Sequence, residues 1–259
     1  MGVVKGRGKL SARAQNRMYD EFAHLWPLIG PPEEYATEAM YWRAAVRDNL
    51  GPGRHEVLEL GAGGGSNLHH MTRDFNFTAV DLSEKMLAHS IRLNTDVEHH
   101  VGDMRSVRLG RKFDVVMIGD ALAYLTTEAD LTDTFATARL HLEQGGVFVL
   151  APDWFREDFV SPRVFNATRR EGAVELTWVE YAHDPDPSDT LMESVFVYFI
   201  NDADGLRVET DRHLLGLFAR SRWTELLEQE GFSVQATPIT SVDHHQGTLL
   251  VGVLQRGEA

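Results

Sequence analysis

The chain has no cysteine, which excludes disulfides, thiolate metal sites and cysteine nucleophiles and makes a reducing cytoplasm the expected setting. It also lacks any uninterrupted apolar stretch of membrane-spanning length, and its first residues hold no signal-peptide apolar core. A soluble, cytoplasmic protein without a membrane partner is therefore expected. Basic residues are scarce: 25 Lys and Arg stand against 39 Asp and Glu, for a formal net charge of -14. Such a surface repels a phosphate backbone, which argues against nucleic acid and for a small molecule or peptide as partner. The main counter-signal, Lys5, Arg7, Lys9, Arg13 and Arg17 in a segment without acids, reads as a solvated N-terminal arm. Pro/Gly/Ser-rich linkers, internal repeats and low-complexity tracts are missing as well. The 259 residues, 43% of them hydrophobic, are enough for one large α/β domain with a well-buried core.

What is present centres on one stretch. Val57-Leu58-Glu59-Leu60 leads into Gly61-Ala62-Gly63-Gly64-Gly65-Ser66, and a helix-length interval later comes Phe77-Thr78-Ala79-Val80-Asp81. An apolar run, a glycine-rich turn and a second apolar run ending in an acid describe a βαβ unit that holds a nucleoside-containing cofactor. The alternation continues. Strands are predicted at 56–60, 77–81, 97–101, 113–118 and 146–151, helices at 66–73, 84–94 and 128–142, with Gly145-Gly146 as a helix stop. Such alternation predicts a Rossmann-like, mostly parallel seven-stranded sheet with helices on both faces and ligands at the strands' carboxyl ends.

Flanking segments differ. From Met18 to Trp26 the spacing predicts a helix broken at Pro27 and again at Gly30-Pro31-Pro32; a second helix fits 33–49, with Tyr35, Ala39, Trp42, Ala45 and Val46 on one face. These two form an N-terminal helical lid over the glycine turn. After Pro152, strands at 173–182, 191–201 and 206–215 predict an inserted antiparallel β-subdomain, and a helix at 221–229 with strands at 232–237 and 248–254 closes the fold. The expected organisation is 1–50 as arm and cap, 51–152 as cofactor-binding core, 153–215 as insert and 216–259 completing the core.

Choosing the cofactor needs more than glycines. A nicotinamide fingerprint requires glycine at the first, third and sixth positions of the turn, and the sixth after Gly61 and Gly63 is Ser66. Acids stand instead at three strand ends: Glu59, Asp81, and Asp103 in Gly102-Asp103-Met104. S-adenosylmethionine carries an ammonium, a sulfonium, a ribose diol and an adenine amine, so it calls for carboxylates and polar acceptors at those places. No basic residue is positioned for a pyrophosphate.

At these residues the chain resembles the class I S-adenosylmethionine-dependent methyltransferases. Val57 to Gly65 is similar to their first motif, Ala79-Val80-Asp81-Leu82-Ser83-Glu84-Lys85-Met86-Leu87 to the second, and Gly102-Asp103-Met104-Arg105 to the third. Within the class it looks most similar to bacterial small-molecule N-methyltransferases, such as the dimethyltransferases of macrolide aminosugars. That likeness includes Tyr35-Ala36-Thr37-Glu38-Ala39, the run from Gly102 to Phe113, His141-Leu142-Glu143-Gln144-Gly145-Gly146, Trp154-Phe155 and Leu215-Gly216-Leu217-Phe218. In such relatives the inserted strands support dimerisation, which implies a homodimer here. One departure stands out. Asp243-His244-His245-Gln246 occupies the late loop where the aminosugar enzymes place glycine and arginine near the diphosphate, which argues against a nucleotide-sugar substrate.

Site expectations follow. Glu59, Gly61, Ala62, Gly63, Gly65, Asp81, Leu82, Met86, Asp103, Met104 and Ile118 are the expected cofactor contacts; Met86 also reads as core filler. Tyr19 resembles an N-terminal tyrosine that relatives fold over the transfer site, and equally fits the buried face of a capping helix. Trp26 and Trp42 are weaker candidates for the same wall. Asp120, after the fourth strand, reads either as an acid that orients a substrate amine or takes its proton, or as a helix N-cap. Tyr19 and Asp120 are taken as catalytic, and Tyr35, Tyr124, Trp154, His213 and His244 as substrate-binding. The pairs His69-His70, His99-His100 and His244-His245 diverge on a helix and point oppositely on a strand, so no metal is expected. The leading reading is methyl transfer to an amine of a small metabolite. Methylation of an oxygen, or cofactor binding without turnover as a sensor or scaffold, are the alternatives.

Overall fold

The computed structural model describes residues 16–240 and 246–255. The basic residues before Arg17, together with His244 and the late loop around it, lie outside them. Eleven strands form two sheets among the described residues. The larger contains β1 (Glu56–Leu60), β2 (Asn76–Asp81), β3 (Glu98–Val101), β4 (Phe113–Ile118), β5 (Leu142–Leu150), β10 (Phe232–Thr240) and β11 (Gln246–Leu254), in the order β10-β11-β5-β4-β1-β2-β3. The five central and outer strands from β5 to β3 run parallel, whereas β11 pairs antiparallel with both β5 and β10. Strand order reverses between β1 and β4, the place in such a sheet where a crevice opens at the carboxyl ends.

Both faces of this sheet are covered, as the alternating pattern requires. Leu58, Leu60, Val116, Ile118, Phe148 and Leu150 face α5 (Glu128–His141) and α6 (Arg220–Gln229). Val57, Val115, Met117, Val147 and Val149 face α2 (Ala36–Leu50), whose Ala39, Trp42 and Val46 are wholly buried. Local chemistry sets the helix starts: the Ser83 hydroxyl accepts from Met86 N to begin α4 (Glu84–Leu93), and Thr127 accepts from Asp130 N to begin α5.

Four expectations change. Gly145-Gly146 does not stop a helix: α5 has ended at His141, and the pair lies inside β5, where Gly145 at φ 81° makes an irregularity between the Phe113–Leu142 and Val115–Val147 pairings. The helix expected at 66–73 is one turn, α3 (Ser66–His69), continued as turns. Pro27 breaks nothing, because it sits in the first turn of α1 (Trp26–Ile29), where its missing N–H has no partner to lose; ahead of it the lid is 3-10 turns. Finally, the insert has four strands, β6 (Arg163–Glu171), β7 (Val174–His183), β8 (Leu191–Asp202) and β9 (Gly205–Gly216), paired in that order. β6 is an edge strand exposed along most of both faces, so it carries no alternation to read.

The lid packs on the insert. Met18, Phe22, Leu25 and Leu28 form one cluster with Leu176, Trp178, Tyr198 and Ile200 of β7 and β8. Each such buried side chain stabilises by about 1.5–3 kcal/mol. Hydrogen bonds tie the same segment to the cofactor turn and to the start of α4: Ser66 Oγ donates to Gly30 O (2.7 Å) and Ser83 Oγ to Tyr19 O (2.5 Å). Ser66, which argues against a dinucleotide, is thus a lid anchor.

Candidate functional site

The β1 turn is shaped for close approach. Gly61 has φ 71°, and a Cβ there would overlap Ala121; a Cβ on Gly64 would overlap the Trp26 indole. Asp81, at the end of β2, accepts from Gly63 N on Oδ2 and from Ser83 N on Oδ1, each at 2.8 Å, so it ties the turn to the second strand. Burial raises its pKa above the ordinary carboxylate value despite those bonds. Glu59 is 4% exposed, its Oε2 finds no hydrogen-bond partner, and burial with help from Asp120, Asp81 and Glu38 pushes its pKa up to about 8.

Around these groups lies a cavity of about 810 Å³. Of the expected cofactor contacts, Glu59, Gly61, Ala62, Gly63, Asp81, Leu82, Met86, Asp103 and Met104 line it. Two do not. Ile118 is fully buried in the core towards α5 and α6, because the last residue of a parallel strand points into one helical layer. Gly65 turns away from the cavity against Ser90 and Asn94. Asp103 lines the cavity but is held by Arg105 through Nε and Nη2, an ion pair that lowers its pKa; Arg105 also binds Asp130. The glycine turn, the unpartnered carboxylate and the two acids at successive strand ends fit S-adenosylmethionine: a cationic amino-acid end at Glu59 and hydroxyls at Asp81.

A second cavity, about 310 Å³, lies between the sheet's carboxyl edge, the lid and the insert. Tyr19, Trp26, Tyr35, Glu38, Asp120 and Tyr124 line both cavities and so form their common wall. Trp154 and His213 line the second alone. Trp42 joins neither: it is wholly buried, its indole N–H donating to Glu38 Oε1 at 3.1 Å. Asp120 is not an N-cap. Gly119 holds that position, and Asp120 is the first residue of the 3-10 turn Asp120–Tyr124, exposed towards the cavities. Five acids line the second cavity, Glu34, Glu38, Asp120, Asp153 and Glu180, against two arginines. Arg169 is paired to Glu34, and Arg163 lies 4.0 Å over the Trp154 ring. The balance favours a cationic guest.

Tyr19 is not merely packing. Its hydroxyl is 2.7 Å from that of Tyr124, which is 2.7 Å from His213 Nδ1; His213 Nε2 lies 2.9 Å from Asp211 Oδ2. Burial raises the pKa of both tyrosines. Sequence reading missed Asp211, although Asp-x-His on a strand puts both side chains on one face. The histidine pairs within the described residues serve locally: His69 meets Asn94, His70 meets Pro32 O, His99 meets Ser90 and His100 meets Glu98.

Comparisons agree with this architecture. Residues 57–146 match the family model described as a methyltransferase domain. The chain is 33% identical over 210 residues to the dTDP-3-amino-3,4,6-trideoxy-alpha-D-glucopyranose N,N-dimethyltransferase of Streptomyces venezuelae, covering 80% of this chain and 87% of that one. The solved sugar N-methyltransferase of a Streptoalloteichus species superimposes with a TM-score of 0.79 at 26% identity, covering 99% of both chains. An amino pentose methyltransferase from Micromonospora echinaspora, solved with S-adenosylmethionine bound, gives a TM-score of 0.74 at 25% identity, covering 85% of this chain and 92% of that one.

Proposed function

The chain belongs to the class I S-adenosylmethionine-dependent methyltransferases, and from that premise we propose that it methylates an amine nitrogen of a small, sugar-like metabolite. One observation carries the reading: a cofactor-sized cavity and a smaller acid-lined cavity share a wall of Tyr19, Trp26, Tyr35, Glu38, Asp120 and Tyr124. S-adenosylmethionine supplies an electrophilic methyl on a sulfonium. The residues that would hold it are Glu59, Gly61, Ala62, Gly63, Asp81, Leu82, Met86, Asp103 and Met104. Displacement at that carbon asks the protein for alignment and exclusion of water, not for a strong acid. Asp120 orients the acceptor's ammonium by charge, Tyr19 closes the site, and Tyr35, Tyr124, Trp154 and His213 shape the acceptor cavity.

The relatives' names make an aminosugar the first acceptor to test, and the acid surplus in the cavity supports an ammonium-bearing guest. Asp243 to Gln246 offers no arginine for a diphosphate, which favours an acceptor without a nucleotide. The chain acts as a single methyltransferase domain in which the described part of 1–50, from residue 16 on, caps the site and 153–215 wall it. A cytoplasmic homodimer through the insert is supported by the absence of cysteine and by exposed Val164, Phe165, Tyr181, Phe199, Leu206 and Val208.

The test is product mass after incubation with methyl-labelled cofactor and paired acceptors, dTDP-3-amino-3,4,6-trideoxy-alpha-D-glucopyranose and a methyl 3-aminoglycoside without nucleotide. Added methyl mass on nitrogen is expected, and transfer to oxygen alone overturns the reading. Tyr19→Phe and Asp120→Ala should lower turnover more than cofactor affinity.

A further inference from the structure

An amine attacks only as the free base, yet in an acid-lined cavity it arrives as an ammonium. With an amine pKa like that of lysine, roughly one molecule in a thousand or fewer is neutral at pH 7. Burial and the acids Asp120, Asp153 and Asp81 hold Tyr19 protonated, and burial, Tyr19 and Asp153 hold Tyr124 so, and neither tyrosine is itself the base. A proton leaving the ammonium must end elsewhere.

The hydrogen bonds have a direction. Asp211 is 2% exposed. Burial opposes its ionisation, but the bond from His213, charge attraction to that ring, and the backbone N–H groups of Met18 (2.9 Å) and Arg17 outweigh that and lower its pKa; Arg212 N also donates to it, at 2.9 Å. As a carboxylate it can only accept, so His213 Nε2 carries the hydrogen. Whenever the ring is neutral, that leaves Nδ1 bare to accept from Tyr124. The Tyr124 oxygen in turn accepts from Tyr19, a residue of the wall shared by the two cavities. In that tautomer every hydrogen in the row points towards Asp211.

We propose that His213 and Asp211 form the proton sink for the substrate ammonium, reached through Tyr124 and Tyr19. This rests on the amine-methylation reading and deepens it. The ammonium N–H bond breaks with its electron pair left on nitrogen. Its proton goes to the Tyr19 oxygen as the Tyr19 proton goes to Tyr124 and that of Tyr124 goes to His213 Nδ1. Each tyrosine loses and gains one O–H bond and never becomes an anion. Positive charge moves from the amine to an imidazolium held by Asp211, and the amine turns its lone pair from Tyr19 to the methyl carbon. After product leaves, the proton returns along the same row to water.

Facing the row are Asp120 from the turn after β4, Asp153 after β5, Asp81 at the end of β2, and Glu180 on β7, whose Oε1 accepts from Ser194, the β8 residue opposite His213. Tyr198 of β8 is held neutral, chiefly by burial; of the cations around the row, Arg17 is committed to Glu21 and Glu209, Arg169 to Glu34 and Arg212 to Glu193, and Arg163 lies over the Trp154 ring. His213 and Asp211 are positioning residues acting through Tyr19, whereas Asp120 acts on the ammonium directly.

Two measurements decide. In the full chain with S-adenosylhomocysteine bound, 15N NMR of the histidine rings should show His213 protonated at Nε2 and bare at Nδ1; the opposite tautomer overturns the relay. The second is the pH profile of kcat/KM with the two amine acceptors above. His213→Gln should lose about 100-fold at pH 7, the usual scale for losing a general base. The loss should close to within a few-fold by pH 10, where the acceptor supplies its own free amine. Asp211→Asn should show the same closing with a smaller loss, and both variants should bind S-adenosylhomocysteine as the parent does. A loss that is equal at every pH indicates a packing role and overturns the proposal. If the parent enzyme methylates neither amine, the function reading is what fails, and the tautomer alone decides the direction of the row.

Discussion

Replacing Glu59 by glutamine separates the ligand role of this carboxyl from its burden on the fold. Its pKa is raised from 4.5 to about 8, by burial first and by Asp120, Asp81 and Glu38 next. Because the folded value lies above the unfolded one, the folded state binds the extra proton between those pH values, so stability falls as pH rises from 4.5 to about 8 and levels off above. Above both values the penalty reaches about 5 kcal/mol at the upper limit, and water entering the cavity screens part of it. Glu59→Gln keeps the shape without the charge, so the ligand-free variant should be more stable than the parent at pH 9 and nearly equal to it at pH 5. Cofactor binding should show the complement. At pH 7 the carboxyl of the free protein is mostly protonated, and an ammonium docked against Oε2 favours the ionised form. Binding should therefore release about 0.5–1 proton. Calorimetry of S-adenosylmethionine binding in buffers of different ionisation enthalpy reads that number directly. Release should vanish in Glu59→Gln, with affinity down by about tenfold or more. Proton uptake by the parent, or release unchanged in the variant, refutes the placement of the cationic end at Glu59.

Asp81→Ala removes both the expected ribose acceptor and the bonds to Gly63 N and Ser83 N; calorimetry should show cofactor affinity weakened by about 10- to 100-fold, at about 1–3 kcal/mol. Ile118→Val should cost about 0.5–1.5 kcal/mol in denaturant unfolding with cofactor affinity unchanged, because Ile118 packs in the core. Ser66→Ala should remove about 1 kcal/mol with the bond to Gly30 O, and proteolysis should find the lid more readily. Gly61→Ala combines a positive φ with overlap on Ala121, and scanning calorimetry should show a lower Tm together with lost cofactor binding.

Much of the cofactor half was legible because it is local. Gly61, Gly63, Asp81 and Glu59 lie within one βαβ unit, where strand period, turn chemistry and helix length place them without reference to the rest of the chain. Ile118 shows where that logic stops. Its position at a strand end was readable, but which helical layer it faced depended on the packing of α5 and α6. Gly145-Gly146 carries the same lesson, since a glycine pair serves a helix stop or a strand irregularity equally well until the partner strand sets the pairing. β6 was invisible because a strand exposed on both faces needs no hydrophobic alternation.

The acceptor half depended on contacts that no local pattern contains. Tyr19, Tyr124, His213 and Asp211 come from the lid, the turn after β4 and the last strand of the insert, as many as 193 positions apart in the bond from Met18 N to Asp211. The amino-acid sequence by itself determined the parallel sheet, the glycine turn and the acids that suit a sulfonium cofactor, since these follow from short-range periodicity and backbone geometry. Only the tertiary structure decided which aromatic and acidic groups meet at the transfer site. Those meetings depend on the β8–β9 register and on burial of the lid's apolar face against the insert, and a shift of one residue in that register would turn His213 and Asp211 away from Tyr124.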